Sequence, residues 1–371
     1  MKLSRQLINE YIDILAQYRF IIVQHMLGDS VKFIKALVEG GIEIFSVIAK
    51  PSYSSRIECC DEIKKLNIPI GYLIGRELED KELCNGVLDK ANNKSLEDCK
   101  PIAILDLAGE YADIAYENNY QYLKVIVEDT AYGHRKYENR EYKCHVYSVA
   151  KSIFKEVEAR FVGSSVVNSA ELLFRNMGKT LFGKKVMLIG YGMIGRNAAF
   201  ELKKNGCKSI ICENNKERIL NAYFDGFEIG ESALYAKEYS IIIGATGTTS
   251  INFDNIDIYA DNTYLISGSS KQVEINIKQL EDISDSKYEV CEGVICYNVK
   301  KKSFYLFNNG QPVNFFHNSI PDEIIDFLFA EMLYGIVQST KDTLSHSICF
   351  VEKDGIEKIS QLYLDEKLLN N

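Results

Sequence analysis

Gly190, Gly192 and Gly195 stand in the order Gly-x-Gly-x-x-Gly directly after the apolar run Val186-Met187-Leu188-Ile189. That run reads as a buried strand. Ala198, Ala199, Phe200 and Leu202 behind the glycines read as the inner face of a helix that stops at Gly206. A second strand, 209–212, ends in the acid Glu213. Each piece has a task in holding a dinucleotide. Gly190 permits the tight turn, Gly192 clears the backbone for a pyrophosphate, and Gly195 lets helix and strand pack closely. The helix opening at Met193 and Ile194 offers its unpaired N–H groups and positive dipole end to the phosphates. Glu213, about 20 residues on, accepts from ribose hydroxyls and repels a 2′-phosphate. The expected cofactor is NAD rather than NADP.

Two later loops carry the same kind of residue. Ile241-Ile242-Ile243 runs into Gly244-Ala245-Thr246-Gly247, and Leu265-Ile266 runs into Ser267-Gly268-Ser269-Ser270. Both follow strands, where open α/β sheets bind ligands, and small residues there let backbone approach a nicotinamide ribose. Ordinary β-α turns are the alternative reading.

The elements that position these residues form two α/β domains. In the first 130 residues short apolar runs (20–23, 42–48, 69–73, 103–105 and 123–127) alternate with helical patterns at 31–38 and 57–66. Alternation of this kind implies a parallel sheet covered on both faces. The polar stretch 135–162 is expected to cross between domains, followed by a helix at 164–179. The strand-like run 347–351 and the helical pattern at Ile356, Ile359, Leu362 and Leu364 suggest a tail returning to the first domain. The expected division is a substrate-type α/β domain over 1–160, with 345–371 packing back on it, and a Rossmann-type NAD domain over 161–344.

The chain has 371 residues and a net charge of −9. That balance argues against a nucleic-acid partner, which needs concentrated Lys and Arg. Lys300, Lys301 and Lys302 are expected to cap a solvated hairpin turn. No apolar run reaches the roughly 18 residues of a membrane span, and Asn9, Glu10 and Asp13 interrupt the N-terminal segment too early for a signal peptide. A cytoplasmic location is expected. The ten cysteines include no CxxC pair, so neither disulfides nor a metal is expected.

From Gly183 to about Ile336 the order of segments resembles the NAD domain of the S-adenosyl-L-homocysteine hydrolase family. The segments are GKKVMLIGYGMIGRNAA, IICENN, GATG, GSSKQVEINIKQLE and NGQPVNF before a helix. The resemblance implies that Asn314 contacts the nicotinamide carboxamide. It extends more loosely to the first domain. There Val23-Gln24-His25-Met26, Leu105-Asp106, Val127-Glu128-Asp129-Thr130 and Ser148-Val149-Ala150-Lys151-Ser152 resemble segments that carry catalytic and substrate-binding groups. It implies catalytic roles for Lys151, His25, Asp106, Glu128 and Asp129. It implies substrate contacts at Asp29, Ser30 and Thr130, with His317 added on the nicotinamide side. Lys151 is expected in a cleft between the domains, near the nicotinamide and His25; a Lys151 side chain in outer solvent would favour a sensor over an enzyme. Structural alternatives stand beside these roles: His25 as a hydrogen-bond donor, Lys151 as a surface lysine, and Glu128-Asp129 capping a turn.

Several family groups are replaced. The Asp-Asn pair in the turn after the lysine reads Lys155-Glu156, the second strand-end acid is Leu107, and a loop His becomes Ser269 or Ser270. The departures fall on proton-transfer groups, each commonly supplying about 10² to 10⁴-fold in rate, while the NAD fingerprint is intact. The resulting expectation is an NAD-binding, hydrolase-like protein. It oxidises a hydroxyl of a nucleoside-like or other small polar substrate, as a homodimer or higher homo-oligomer. A catalytically inactive NAD(H) sensor is the alternative.

Overall fold

The apolar runs of the first third of the chain are strands, buried on both faces in the middle of the sheet and more exposed at its β3 edge. They are β1 (Arg19–Gln24), β2 (Glu43–Ala49), β3 (Ile70–Tyr72), β4 (Ile102–Asp106) and β5 (Leu123–Glu128). β6 (His145–Ser148) follows them. The computed structural model describes residues 1–269, 271–316 and 319–369. It divides into two units, Met1–Lys155 with Asp322–Asn371, and Glu156–Pro321.

All strands of the first unit pair in parallel, in the order Cys349–Phe350, β6, β5, β4, β1, β2, β3. The direction of winding reverses between β1 and β4. In a doubly wound sheet that is the point where ligands meet the carboxyl ends of the strands. The C-terminal strand joins the free edge of β6, and helix Lys353–Leu369 places Tyr363 against Phe327. The tail therefore belongs to the first unit.

The second unit repeats the plan with β7 (Lys185–Ile189), β8 (Lys208–Cys212), β9 (Glu228–Ile229), β10 (Ile241–Gly244) and β11 (Thr263–Ser267). β12 (Ser286–Cys291), β13 (Val294–Val299) and β14 (Lys302–Phe307) complete it. The order is β12-β13-β14-β11-β10-β7-β8-β9, with β13 alone running antiparallel to both its neighbours. Here winding reverses between β7 and β10, so both units are doubly wound with their first strand central. Lys300 lies in the β13–β14 turn at φ 54°, while Lys302 reaches the carbonyls of Ile256 and Tyr259.

Three elements differ from the sequence expectation. The polar stretch 135–162 holds β6 and the start of helix Ile153–Asn176, and that helix itself carries the chain into the second unit. β6 is only His145-Val146-Tyr147-Ser148, too short among charged neighbours to show a period. Helix Glu77–Asp98 escaped notice because its buried residues, Asp80, Cys84, Leu88, Ala91 and Ser95, form a narrow stripe of mixed polarity. Helix Asp322–Ser339, expected in the second unit, lies in the first. It is buried almost all round: Phe329 stacks on Phe33 at 4.2 Å, and Asp326 accepts from the backbone N–H of Leu3 and Ser4. Such a helix needs neighbours on every side, and the N-terminal helix Lys2–Glu10 is one of them.

All ten cysteines are unpaired. Among the described residues no helix is long and apolar enough to cross a membrane.

Candidate functional site

In the second unit the glycine loop closes at the winding reversal. Gly190 takes φ +100°, and a Cβ there would sit 2.6 Å from the carbonyl oxygen of Ala245. A side chain at Gly195 would collide with the carbonyl oxygen of Gly190. Gly192 is different. It caps helix Met193–Lys204 with φ −73°, open to any residue, and a Cβ there would meet nothing nearer than Arg218 Nη1 at 3.7 Å. Neither backbone nor packing requires this glycine. The open backbone at this helix start has room for a ligand to lie against it, as a pyrophosphate does in a glycine-rich turn.

Glu213 closes the other side. Its Oε2 accepts from Tyr191 N at 2.7 Å, and its Oε1 from Asn214 N and Asn215 N at 2.8 and 2.9 Å. Burial works against its ionisation, but these amides and the nearby Arg218 outweigh it and hold the carboxyl below its ordinary range. An ionised acid here suits ribose hydroxyls and opposes a second phosphate. Arg218 Nη1 lies 3.8 Å from Glu213 Oε2 and 3.7 Å from where a Cβ on Gly192 would stand, and its sequence context carries no signal for it.

The two later loops are held from within. Thr246 N and Gly247 N donate to Glu274 Oε1 at 2.6 and 2.5 Å, and Thr246 Oγ1 and Ser250 Oγ donate to its Oε2 at 2.9 and 2.6 Å. Glu274 is fully buried. Its signal was visible as the Val-Glu-Ile segment, but the sequence does not say where the loop amides land. Ala245 N bonds Ile189 O, and Gly268 N bonds Gly244 O, so the loops after β7, β10 and β11 are tied in series. Ser267 pairs with Pro312 in an isolated bridge, two residues before Asn314. Asn314 Nδ2 donates to Ser319 Oγ at 2.7 Å, while its Oδ1 and Ser267 Oγ are buried with no hydrogen-bond partner among the described residues. Buried polar atoms without partners are costly. A carboxamide donor brought to Asn314 Oδ1 would satisfy one of them. These residues fit NAD: Gly192 and the helix start for the pyrophosphate, Glu213 for the adenosine ribose, Asn314 for the nicotinamide amide.

In the first unit the expected catalytic acids split. Asp106 and Glu128 are register partners in β4 and β5 and are fully buried. Asp106 accepts from the N–H groups of Leu107, Glu110 and Tyr111 and from Tyr137 OH at 2.6 Å. Glu128 accepts from Ala108 N, Gly109 N, Thr130 N and Thr130 Oγ1. Burial first, and for Glu128 the adjacent Asp106 charge next, push both carboxyls up. Their oxygens are committed to the loop after β4, so the capping alternative describes them. Thr130 likewise caps helix Ala131–Tyr137 by accepting from Gly133 N. His25, just past β1, holds Ser54 Oγ at 2.6 Å through Nδ1. Asp29 and Ser30 open helix Gly28–Glu39, where Asp29 is raised by burial.

Lys151 departs from its expected setting. Its side chain is 57% exposed, pairs with Glu138 Oε1 at 3.2 Å and lies over Phe350. It lacks the burial that a lysine base needs. Nor is it beside His25: β5 and β4 separate the strands that carry the two, so they stand roughly 14 Å apart at inter-strand spacing. Lys155 has the setting that Lys151 lacks. Its side chain is 13% exposed and its Nζ meets Asp129 Oδ1 at 3.0 Å, with Asp129 only 10% exposed. His317 and Ser270, the remaining expected positions, lie outside the described residues, as do Asn370 and Asn371 of the tail.

Residues 165–319 match the family model described as the NAD-binding domain of S-adenosyl-L-homocysteine hydrolase. The adenosylhomocysteinase of Sulfolobus acidocaldarius is 24% identical over 353 residues, 92% of this chain and 82% of that one. That of Thermotoga maritima is 25% identical over 280 residues, 72% and 69% of the two chains. The S-inosyl-L-homocysteine hydrolase of Methanocaldococcus jannaschii is 31% identical over 160 residues, 43% and 39%. Over most of its length the chain resembles the S-adenosyl-L-homocysteine hydrolase family, and NAD is the cofactor of its second unit.

Proposed function

We propose that the protein uses NAD to oxidise a hydroxyl on a small, nucleoside-like substrate. The observation that carries this reading is the glycine loop with its clamped partners: Gly192 has room for a side chain, Asn314 Oδ1 is buried with no hydrogen-bond partner among the described residues, and Glu213 is held below its ordinary range. NAD supplies a two-electron acceptor. Relatives named for S-adenosyl- and S-inosyl-L-homocysteine support a nucleoside-bearing substrate class with tolerance in the base. The first unit would then bind and orient the substrate and take the hydroxyl proton. With Asp106 and Glu128 committed to a loop, Asp129 is the acid at the end of β5 whose partner is a side chain rather than backbone amides. Small-molecule recognition by a homodimer or higher homo-oligomer in the cytoplasm completes the proposal.

The test is spectroscopic. Protein loaded with NAD⁺ and mixed with adenosine or inosine should gain absorbance near 340 nm as bound NADH forms. A protein that binds NAD but develops no band with either nucleoside contradicts hydroxyl oxidation. It would favour the second reading, an NAD(H) sensor, for which the exposed Lys151 on Glu138 already speaks.

A further inference from the structure

We infer that Lys155, and not Lys151, is the lysine that meets the substrate, and that with Asp129 it forms a paired donor and acceptor for substrate hydroxyls. The inference rests on the nucleoside reading above and assigns that reading its polar contact in the first unit.

Three observations support it. The first is placement. Asp129 follows β5 directly and Lys155 lies in the first turn of the helix after β6, so both stand at the carboxyl ends of neighbouring parallel strands. That edge is where α/β sheets present residues to ligands. The second is desolvation. The Lys155–Asp129 pair is nearly buried yet keeps a little exposure on both partners, whereas Lys151 and Glu138 stand 57% and 38% exposed. A water-screened surface pair holds a ligand weakly, while polar groups out of water bind with more strength and direction.

The third is the acid behind the pair. Glu331, from helix Asp322–Ser339, is 1% exposed, and its Oε2 has no hydrogen-bond partner among the described residues. Its electrostatic neighbours are Ser152, Lys155 and Asp129. Burial pushes its carboxyl up to about 8, so it is largely neutral at pH 7. The Lys155–Asp129 ion pair is balanced within itself, and a largely neutral Glu331 beside it adds little charge. Such a cluster suits a neutral hydroxylated group better than a phosphate or carboxylate. A hydroxyl would donate to Asp129 and accept from Lys155 Nζ, and when the hydroxyl is oxidised its proton would pass to the Asp129 carboxylate. Lys155 stands where the resemblance implies an acid, so a match to the family's pattern does not point to it.

The test measures adenosine and 2′,3′-dideoxyadenosine binding by calorimetry on the intact, NAD-saturated protein. Wild type should prefer adenosine. Lys155→Met should lose about tenfold or more in adenosine affinity and little for the dideoxy analogue, erasing the preference; Lys151→Met should stay within about threefold of wild type for both. Lys155→Arg keeps the charge and the pairing with Asp129 and serves if the methionine variant fails to fold; it should fold, and its preference should shrink because a broad guanidinium displaces the hydroxyl. Equal adenosine binding by wild type and the Lys155 variants overturns this inference and leaves the nucleoside reading standing. Tighter binding by Lys155→Met also overturns it, by showing that the pair blocks the site. Equal losses for both ligands mark a structural role and overturn it as well. No binding of adenosine by wild type overturns the nucleoside reading itself, and the inference with it.

Discussion

Gly192 and Gly195 are three residues apart in one loop and are glycine for opposite reasons. Gly195 is required by the protein, because any Cβ strikes the Gly190 carbonyl. At Gly192 the protein leaves the side-chain position open, so only a ligand lying on the loop would select against a side chain there. Substitution separates the two. Gly192→Val should fold, with a melting temperature within a few degrees of wild type, and should lose NAD affinity by at least about a hundredfold. Gly195→Val should be destabilised by several kcal/mol, the range of steric overpacking added to a buried backbone clash. Thermal melts with and without NAD make the distinction: Gly192→Val should have lost the NAD-dependent rise in melting temperature that wild type shows. A Gly192→Val protein that still binds NAD normally would remove the ligand-based account of this glycine.

At the scale of elements, the same device recurs at four acids. Glu213, Glu274, Asp106 and Glu128 each turn a carboxylate back onto backbone N–H groups of a neighbouring loop. Glu274 is the clearest case, since two amides and two hydroxyls of the loop after β10 converge on it. Charge-assisted bonds of this kind contribute about 1.5–3 kcal/mol each when buried. Glu274→Gln keeps the shape but replaces one acceptor oxygen with a donor facing donors. The Thr246 and Gly247 amides should then exchange with deuterium at least tenfold faster, and NAD affinity should fall about tenfold while β7 and β8 stay protected. Unchanged exchange at those amides would mean that the loop holds itself. This recurrence also explains what the sequence could not resolve. An acid after an apolar run reads alike as a ligand contact and as a loop clamp, because the difference lies in where a loop distant in sequence delivers its N–H groups. The glycine fingerprint has no such ambiguity, since strand, turn, helix and acid are all local. Lys155 was hidden for a related reason: its partner Asp129 comes from another strand, and its burial depends on a helix more than 160 residues later.

At the scale of the whole molecule, the central strands of both sheets were legible because parallel strands buried on two faces leave continuous apolar runs, while short or exposed outer strands such as β6, β9 and β12 leave none. The assignment of helix Asp322–Ser339 was not, because a helix buried all round carries no stripe to say which neighbour it faces. That helix also brings an acid into the interior of the first unit, with a consequence for stability against pH. Glu331 has a folded value of about 8 against an ordinary 4.5, from burial first, opposed by Ser152 and Lys155 and reinforced by Asp129. With the folded value raised, the native state holds a proton that the unfolded chain releases. The stabilisation is fully present below about pH 4.5 and is lost as pH rises through 8, with a slope of up to about 1.4 kcal/mol per pH unit in between. Asp106 and Glu128 slope the same way, so the measurement must be a difference. Glu331→Gln keeps an oxygen acceptor toward Ser152 and carries no proton to lose. Urea midpoints of wild type and Glu331→Gln, taken at intervals from pH 5 to pH 8.5, should diverge in favour of the variant as pH rises. The gap should grow by on the order of one proton's worth of free energy across that window. Curves that stay parallel would mean that Glu331 is ionised in the native protein, and that the cluster around Lys155 and Asp129 carries a net negative charge.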